Sequence, residues 1–467
     1  MKARTPPDKL SPYLPLVFLA LYAMAIVFRP LLPIDETRYL TAAWEMLLRH
    51  GWLAPLTVNF EPYHQKPPML FWLINLSWSA FGVSRWAAVI PVVLASMASV
   101  YLTSALCRRV QPELATRAWV VLLGMIGFLL YSTVILFDLT LTVFVLGALL
   151  SVLAYAEGRR VRHVLLLGLM LGLGVLTKGP VAYLYVIFPI LFGPYWIEHN
   201  RHWKSWYLGA LGAFFVSLIP VLAWLVPVLL ASSNEFGYWL VWEQTAGRIT
   251  GSYRSSHDRP IYFFLIVLPL LCLPWILFPR FWTRLTDLKR HFAGDAGLRF
   301  LLIWIVPTFV AFSLIGGKQP HYMVPLLPGV AILTAFVLRD LSARMLRITA
   351  AAMLIVVIGG HAALSKEVMR RYDLGSVAEF VAEHRDRDWA WVGNYHGEVN
   401  YLARMTKPLA EVRSVGLDAW FDSHPDGMAI TRNARTENLA GYDVLYSTEY
   451  RSKALAVIAR PEDPPLR

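Results

Sequence analysis

The sequence predicts a polytopic α-helical membrane protein with interfacial helices and a small C-terminal soluble α/β domain. Three observations carry this expectation. The 467 residues are 57% hydrophobic and 16% charged, and a mean hydropathy of +0.50 is too high for a water-soluble protein of that size. Apolar runs of about 20 residues, the length needed to cross a hydrocarbon core, recur as far as about Leu364. From about Ser365 the composition turns mixed and the charges nearly balance. The net charge of +12 would suggest a nucleic-acid partner if the basic residues formed one patch. They fall instead in short clusters between apolar runs, which points to membrane topology and to no nucleic acid. Cys107 and Cys272 lie within or beside apolar runs, so neither a disulfide framework nor a Cys-based metal site is available.

The spans are expected at about Pro12–Ile34, Trp86–Cys107, Ala118–Phe137, Leu139–Ala156, Val164–Leu176, Pro180–Ile197, Trp206–Leu230, Ile261–Phe278, Phe300–Ile315, His321–Leu338 and Ile348–Leu364. That makes about 11 spans, with about 13 as an upper bound, because Pro and Gly blur the ends. The first run has no small-residue cleavage site before Asp35 and reads as an uncleaved anchor. With the N-terminus in the cytoplasm, the inner loops hold roughly twice as many Lys and Arg as the outer loops. The outer set is Arg38, Arg49, Lys66, Arg85, Lys178, Arg248, Arg254, Arg259 and Lys318. The odd span count leaves the C-terminus outside, which in a bacterial inner membrane is the periplasm. Nucleotide sugars are not expected there, so transfer chemistry on that side needs a lipid-linked or exported donor.

The expected domains are a membrane part over 1–364, with a first outer loop at 35–85 and a long outer loop at 231–259, and a periplasmic soluble part over 365–467. In the latter, Val377–His384 has helical spacing, and Trp389–Val392, Val444–Ser447 and Ala454–Ala459 read as strands. No Gly-rich phosphate loop or metal-ligand spacing occurs in it, so its expected role is to cover or shape the outer face.

The chemistry-bearing residues lie in the outer loops. Asp35-Glu36-Thr37-Arg38-Tyr39 follows the first span, and two carboxylates at a membrane boundary are costly unless solvated, paired or used. Asp35 is expected to cap an amphipathic helix running to His50, with Leu40, Ala43, Trp44, Leu47 and Leu48 on one face. That would hold it at the rim of a cavity, where it could accept a proton or orient an acceptor. Lys66, before Pro67 and Pro68, sits on stiff extended backbone and suits a phosphate, or else snorkels to lipid head groups. Met69–Phe81 is apolar but short for a span. Asp138 stands alone between two spans and needs a partner. Thr177-Lys178-Gly179-Pro180 presents a lysine at a helix break. The long loop carries Glu243, Gln244, Arg248 and His257. Gly316-Gly317-Lys318-Gln319-Pro320-His321-Tyr322 joins two spans, with glycines that let backbone approach a ligand. Each alone is a topological or packing feature; convergence of these cations with carboxylates and a Tyr describes a site for an anionic, membrane-embedded substrate.

In this order, Asp35-Glu36-Thr37-Arg38-Tyr39, Lys66-Pro67-Pro68, Thr177-Lys178-Gly179-Pro180, Glu243 to Arg248, and Lys318 to Pro325 resemble the GT-C glycosyltransferases of the dolichyl-phosphate-mannose protein mannosyltransferase superfamily. Within it, the motifs look most like the bacterial lipid A aminoarabinose transferases. The resemblance runs from residue 35 to about 328 and leaves the tail uncovered. It implies a GT-C fold and inverting sugar transfer from a polyprenyl phosphate, such as undecaprenyl phosphate, to a glycolipid or glycan acceptor at the periplasmic face. Asp35 then matches the essential first-loop aspartate, Arg38, Lys66, Arg248 and Tyr322 match positions that hold the lipid phosphate, and Asp138 matches a further carboxylate. The resulting set is Asp35, Glu36 and Asp138 as catalytic residues, Arg38, Lys66, Arg248, Lys318 and Tyr322 at the donor phosphate, and Lys178, Glu243, His257 and His321 elsewhere in the cavity.

One departure bears on cofactors. The lipid A transferases usually carry Glu before the Lys-Pro-Pro lysine and His after the loop glutamate, a pair able to hold a divalent ion. Here both positions are amides, Gln65 and Gln244, so no cofactor and no metal is expected there, although His64 or His257 could in principle substitute. The change also loosens the assignment of sugar and acceptor. A lipid transporter or flippase is the rival class, and a protein O-glycosyltransferase the rival within the superfamily. Against the transporter, the two halves show no evident repeat and the charges concentrate at one face.

Overall fold

The computed structural model describes residues 12–461 except 200, 243–258, 433–438 and 440. In chain order the helices begin with α1 (Leu14–Phe28), α2 (Asp35–Leu48), α3 (Met69–Phe81), α4 (Arg85–Val110), α5 (Ala115–Leu123), α6 (Ile126–Tyr131), α7 (Phe137–Gly158) and α8 (Val161–Lys178). Among the described residues seven helices are long and apolar enough to cross a membrane. They are α4, α7, α8 and the helices over Trp203–Leu230, Ala296–Leu314, Pro320–Val337 and Ala343–Leu364. The chain is a multi-pass membrane protein.

The other predicted spans are built from shorter pieces. The first becomes the 15-residue α1. Ala118–Phe137 divides into α5 and α6, where Met125 is extended (φ −78°, ψ 122°). Pro180–Ile197 becomes the helices Val181–Leu184, Ile187–Leu191 and Gly193–Trp196, and Ile261–Phe278 becomes Phe263–Leu271 followed by a 3₁₀ turn at Trp275–Leu277. Pro180, Pro189, Pro194, Pro269 and Pro274 each remove an amide donor from these runs. Hydropathy averages over such interruptions, because broken backbone at membrane depth is tolerated wherever other groups bond it. Ile126 N–H, for example, donates to the Leu273 carbonyl at 2.9 Å.

Contacts divide the chain into two compact units. One comprises Met1–Ala23 with His64–Gly359, and the other Met24–Tyr63 with Gly360–Arg467. The first unit holds six of the seven long helices together with most of Ala343–Leu364. The second differs from the expected division at residue 364, because the segment after the first span is bonded into the C-terminal sheet domain.

That domain is a five-stranded sheet in the order β4-β3-β5-β7-β6, made of β3 (Trp389–Val392), β4 (Ala410–Val412), β5 (Met428–Arg432), β6 (Asp443–Tyr450) and β7 (Lys453–Ala459), while β1 (Thr57–Val58) and β2 (Glu61–Pro62) form a separate hairpin. β3 pairs in parallel with β4 and β5, and β7 is antiparallel to β5 and β6. Side chains alternate across the sheet. Trp389, Trp391, Ile430 and Val457 pack on one side with Val377 and Val381 of the helix Gly375–Glu383. Ala390, Ala429 and Ile458 pack on the other with Leu417 and Phe421 of the helix Leu417–Ser423. Helices on both faces bury a mixed sheet whose central strands are almost wholly apolar.

Candidate active site

In the first unit a polar cluster forms where α7 begins and α8 ends. Leu136 is extended, α7 starts at Phe137, and Asp138 in its first turn suits the positive end of the helix dipole. α8 ends at Lys178 because Gly179 takes φ +79°, a left-handed conformation costly for other residues, while Pro180 cannot continue the helix. The two ends meet, and the Lys178 ammonium is bonded to the Asp138 carboxylate with both side chains buried, 8% and 3% exposed. This answers the expectation that Asp138 needs a partner; Lys178 is an ion-pair member and not a presented cation.

Around the pair, His321 Nε2 lies 3.9 Å from Asp138 Oδ2, and Lys178 Nζ lies 4.4 Å from the centroid of the Tyr322 ring. The Tyr185 hydroxyl donates to the Tyr322 carbonyl at 2.7 Å and fixes that turn. The rings of Tyr131 and His321 stand edge to face at 6.4 Å. Half-buried Lys66 places Nζ 5.7 Å over the ring of Phe137, the residue before Asp138. Phe71 packs edge-on to the same ring at 5.5 Å. The fold therefore brings Lys66, Asp138, Lys178, His321 and Tyr322 together from four separate stretches of sequence.

The second unit holds the first-loop residues. Asp35 is the first helical residue of α2, and Ile34 occupies the cap position with no side-chain cap bond. The expected Asp35 cap is therefore corrected. Its Oδ1 accepts from Arg38 Nη2 at 2.6 Å and from the Tyr39 hydroxyl at 3.2 Å, contacts at i+3 and i+4 that a helix face favours over a cap. The Asp35 side chain is 50% exposed, so a carboxylate held in orientation still meets solvent.

Burial opposes the charge on Arg38, but Tyr63, Tyr39 and Asp35 outweigh it and hold the guanidinium protonated well above its usual range. Burial, with Tyr63 and Asp35 nearby, raises the Tyr39 phenol well above its usual value and keeps it a donor. His396, from the C-terminal domain, faces this group. Burial first and Arg38 second lower its pKa, while Glu411 and Asp35 act in the opposite direction.

Glu36 is corrected as a catalytic candidate. It is 1% exposed, paired with Arg29 through both oxygens, and accepts the Leu32 N–H at 2.8 Å. A carboxylate so engaged closes the turn between the first apolar run and α2. Lys318 is likewise corrected as a phosphate ligand. Its ammonium, 3% exposed, bonds the Arg259 carbonyl at 2.8 Å and reaches the Gly316 carbonyl at 3.5 Å, anchoring a loop. Glu243, Gln244, Arg248 and His257 lie outside the described residues.

The predicted amphipathic stripe of α2 is also revised, since Glu36, Thr37, Tyr39, Leu40, Thr41, Ala42, Ala43, Glu45 and Met46 are all buried. The Thr41 hydroxyl donates to the Gly397 carbonyl at 2.7 Å and accepts from Tyr401 N–H at 3.2 Å, and Trp44 Nε1 donates to the Met405 carbonyl at 2.9 Å. Gly397, at φ +77°, approaches so closely that a Cβ would stand 2.7 Å from Val58. Arg29, Tyr131, Tyr185 and His396 were not foreseen. Arg29 alone carried a signal, a single charge inside an apolar run; aromatic residues in such runs are ordinary, and His396 lies in a turn with no motif.

A family model for dolichyl-phosphate-mannose-protein mannosyltransferase matches residues 65–224. Curated relatives include an undecaprenyl phosphate-alpha-4-amino-4-deoxy-L-arabinose arabinosyl transferase of Edwardsiella ictaluri, 30% identical over 75% of this chain and 64% of the relative, and arabinosyl transferase 2 of Pseudomonas fluorescens, 29% identical over 69% of this chain and 58% of the relative. The chain thus spans about three fifths of the length of these relatives. Among solved structures, ArnT from Cupriavidus metallidurans bound to undecaprenyl phosphate superposes with a TM-score of 0.76 at 19% identity, covering 95% of this chain and 97% of that one. The oligosaccharyltransferase of Archaeoglobus fulgidus, tethered to an acceptor peptide, reaches 0.53 at 12% identity, over 98% of this chain and 75% of that one. The resemblance read from the motifs is borne out, and the two structures share this fold.

Proposed function

We propose that this chain, whose fold is of the GT-C type and whose residues 65–224 match the protein mannosyltransferase family, is an inverting glycosyltransferase of the bacterial inner membrane. Its donor is a sugar carried on a polyprenyl phosphate, undecaprenyl phosphate above all. Its acceptor is lipid A or another glycolipid at the periplasmic face, where the C-terminal domain also lies, with the N-terminus in the cytoplasm. The observation that carries the reading is the buried Asp138–Lys178 pair with half-buried Lys66, His321 and Tyr322 gathered around it in a membrane unit. Polar groups at such depth are costly and are kept where a charged, membrane-borne substrate needs them.

As the sugar C1–O bond breaks, charge develops on the leaving phosphate. Cations and donors aimed at it lower the barrier, and one well-placed group is worth roughly 2.7–4 kcal/mol. Within the membrane unit, Lys66 and Tyr322 take that role in this reading. The ion pair with Lys178 holds the Asp138 side chain in place. Asp35, oriented by Arg38 and Tyr39, removes the proton from a hydroxyl acceptor, or orients a phosphate acceptor that needs no base.

The test is transfer or hydrolysis of undecaprenyl-phosphate-linked aminoarabinose by purified protein, with lipid A, another glycolipid or a protein acceptor supplied in turn. Asp35→Asn and Lys66→Ala should each lower the rate by roughly 10²–10³. Full activity in both variants would refute the site, and a protein as the sole competent acceptor would move the assignment to protein O-glycosylation. Cysteine labelling from opposite sides of the membrane at Lys66 and Arg284 tests the orientation.

A further inference from the structure

A cavity of about 800 Å³ opens at the other end of α7 and α8. Asp138 and Lys178 sit at one end of these helices, whereas the cavity is lined by Ala154 of α7 and Arg162 of α8, each 16 residues away. At a rise of 1.5 Å per residue that separation is about 24 Å, close to a bilayer's hydrocarbon thickness. The cavity thus lies toward the opposite membrane face and takes no part in the site described above.

Its lining is divided along the helix axes. Leu102, Leu150, Leu166 and Met170 form an apolar stretch, and Arg108, Arg109 and Arg162 form a basic end. From Leu102 to Arg109 along α4 is about 10 Å. The occupant is therefore an amphiphile with a hydrocarbon body of at least that length and an anionic head. The walls are three membrane-crossing helices, and Leu166 is 45% exposed toward the surroundings of the unit, so the apolar part is filled from the bilayer.

The basic end is only partly neutralised. Arg109 Nη1 contacts both oxygens of Glu157 at 2.8 Å, and Arg108 Nη1 donates to the neutral Ser104 hydroxyl at 2.9 Å. Arg162 lies beside His163, with Nε 3.2 Å from the ring Nε2. Three guanidiniums against one carboxylate leave an excess of positive charge, and guanidinium matches phosphate with paired donors. Basic pockets between membrane helices attract anionic head groups by the same forces.

We propose that this cavity between α4, α7 and α8 is a binding site for one anionic phospholipid, with its phosphate against Arg108, Arg109 and Arg162 and an acyl chain along Leu102, Leu150, Leu166 and Met170. The site is independent of the sugar-transfer reading and of the acceptor.

The experiment is native mass spectrometry of the full chain released from micelles carrying phosphatidylglycerol or phosphatidylcholine with the same acyl chains. One phosphatidylglycerol should be retained at least tenfold more than phosphatidylcholine. The charge variant Arg108→Ala/Arg162→Ala should lose that preference. The filling variant Leu166→Trp, which keeps every charge, should lower retention of both lipids. Equal retention of the two lipids by the unmodified chain overturns the proposal, whatever the variants do. So does an undiminished preference for phosphatidylglycerol in the charge variant.

Discussion

Removing Lys178 while leaving Asp138 in place tests the core of the membrane unit. Both side chains are buried, 8% and 3% exposed, so Lys178→Ala strands a carboxylate whose remaining ion-pair neighbour among the described residues is His321, 3.9 Å away. Breaking a buried pair from one side costs about 3–5 kcal/mol, because the remaining charge is neither solvated nor matched. Loss of the ammonium over the Tyr322 ring adds roughly 0.5–2 kcal/mol. Asp138→Asn/Lys178→Ala removes both charges, and replacement of a whole buried pair by neutral groups is often close to neutral. The double variant should therefore be more stable than Lys178→Ala alone, with a coupling energy of at least about 2 kcal/mol. Thermal unfolding in detergent, followed by tryptophan fluorescence on all four proteins of the cycle, measures it. Additive losses, with the double variant at the sum of the two singles, would mean that the charges do not depend on each other, and the argument for a paired site at this helix junction would fail.

Asn59 ties the first loop to the C-terminal domain through three bonds. Its Nδ2 donates to the Leu409 carbonyl at 2.9 Å, and its Oδ1 accepts from Leu409 N–H at 2.8 Å and from Asn400 Nδ2 at 3.1 Å. Asn59→Ala should cost about 1–3 kcal/mol in unmade bonds and speed proteolysis of the region 24–63. Unchanged cleavage would show that the bonds do not hold it. Burial and Arg38 lower the folded-state pKa of His396, so the unfolded chain binds its proton more readily, and stability falls as pH drops through the ordinary histidine value of about 6.5 toward the lower folded one. His396→Gln should flatten unfolding against pH in that window, and an unaltered slope counts against the assignment. With amides at Gln65 and Gln244, prolonged chelation should leave sugar transfer at its original rate. A rate lost to chelator and restored by zinc would reverse the inference drawn from those residues.

Much of the architecture follows from local composition. The strand at Trp389–Val392 is placed by sequence and structure at the same residues, and α7, α8 and the helix at Trp203–Leu230 arise where long apolar runs appear. Such elements are legible because burial of a continuous run of side chains and satisfaction of its own backbone are decided within that run. The candidate residues Asp35, Arg38, Lys66, Asp138, Lys178, His321 and Tyr322 are legible too, since a polar group beside apolar sequence is costly and stands out. What such a group is bonded to is another matter. Glu36 and Asp35 are neighbours in sequence, yet Arg29 engages one of them and leaves the other half exposed. Lys318 and Lys66 both interrupt apolar sequence, yet Lys318 bonds backbone carbonyls while Lys66 places its ammonium over the Phe137 ring. Composition alone determined that the chain lies in a membrane and where its charges gather. Tertiary structure decided which of those charges neutralise one another, because that depends on contacts between residues distant in sequence, such as Asp138 with Lys178.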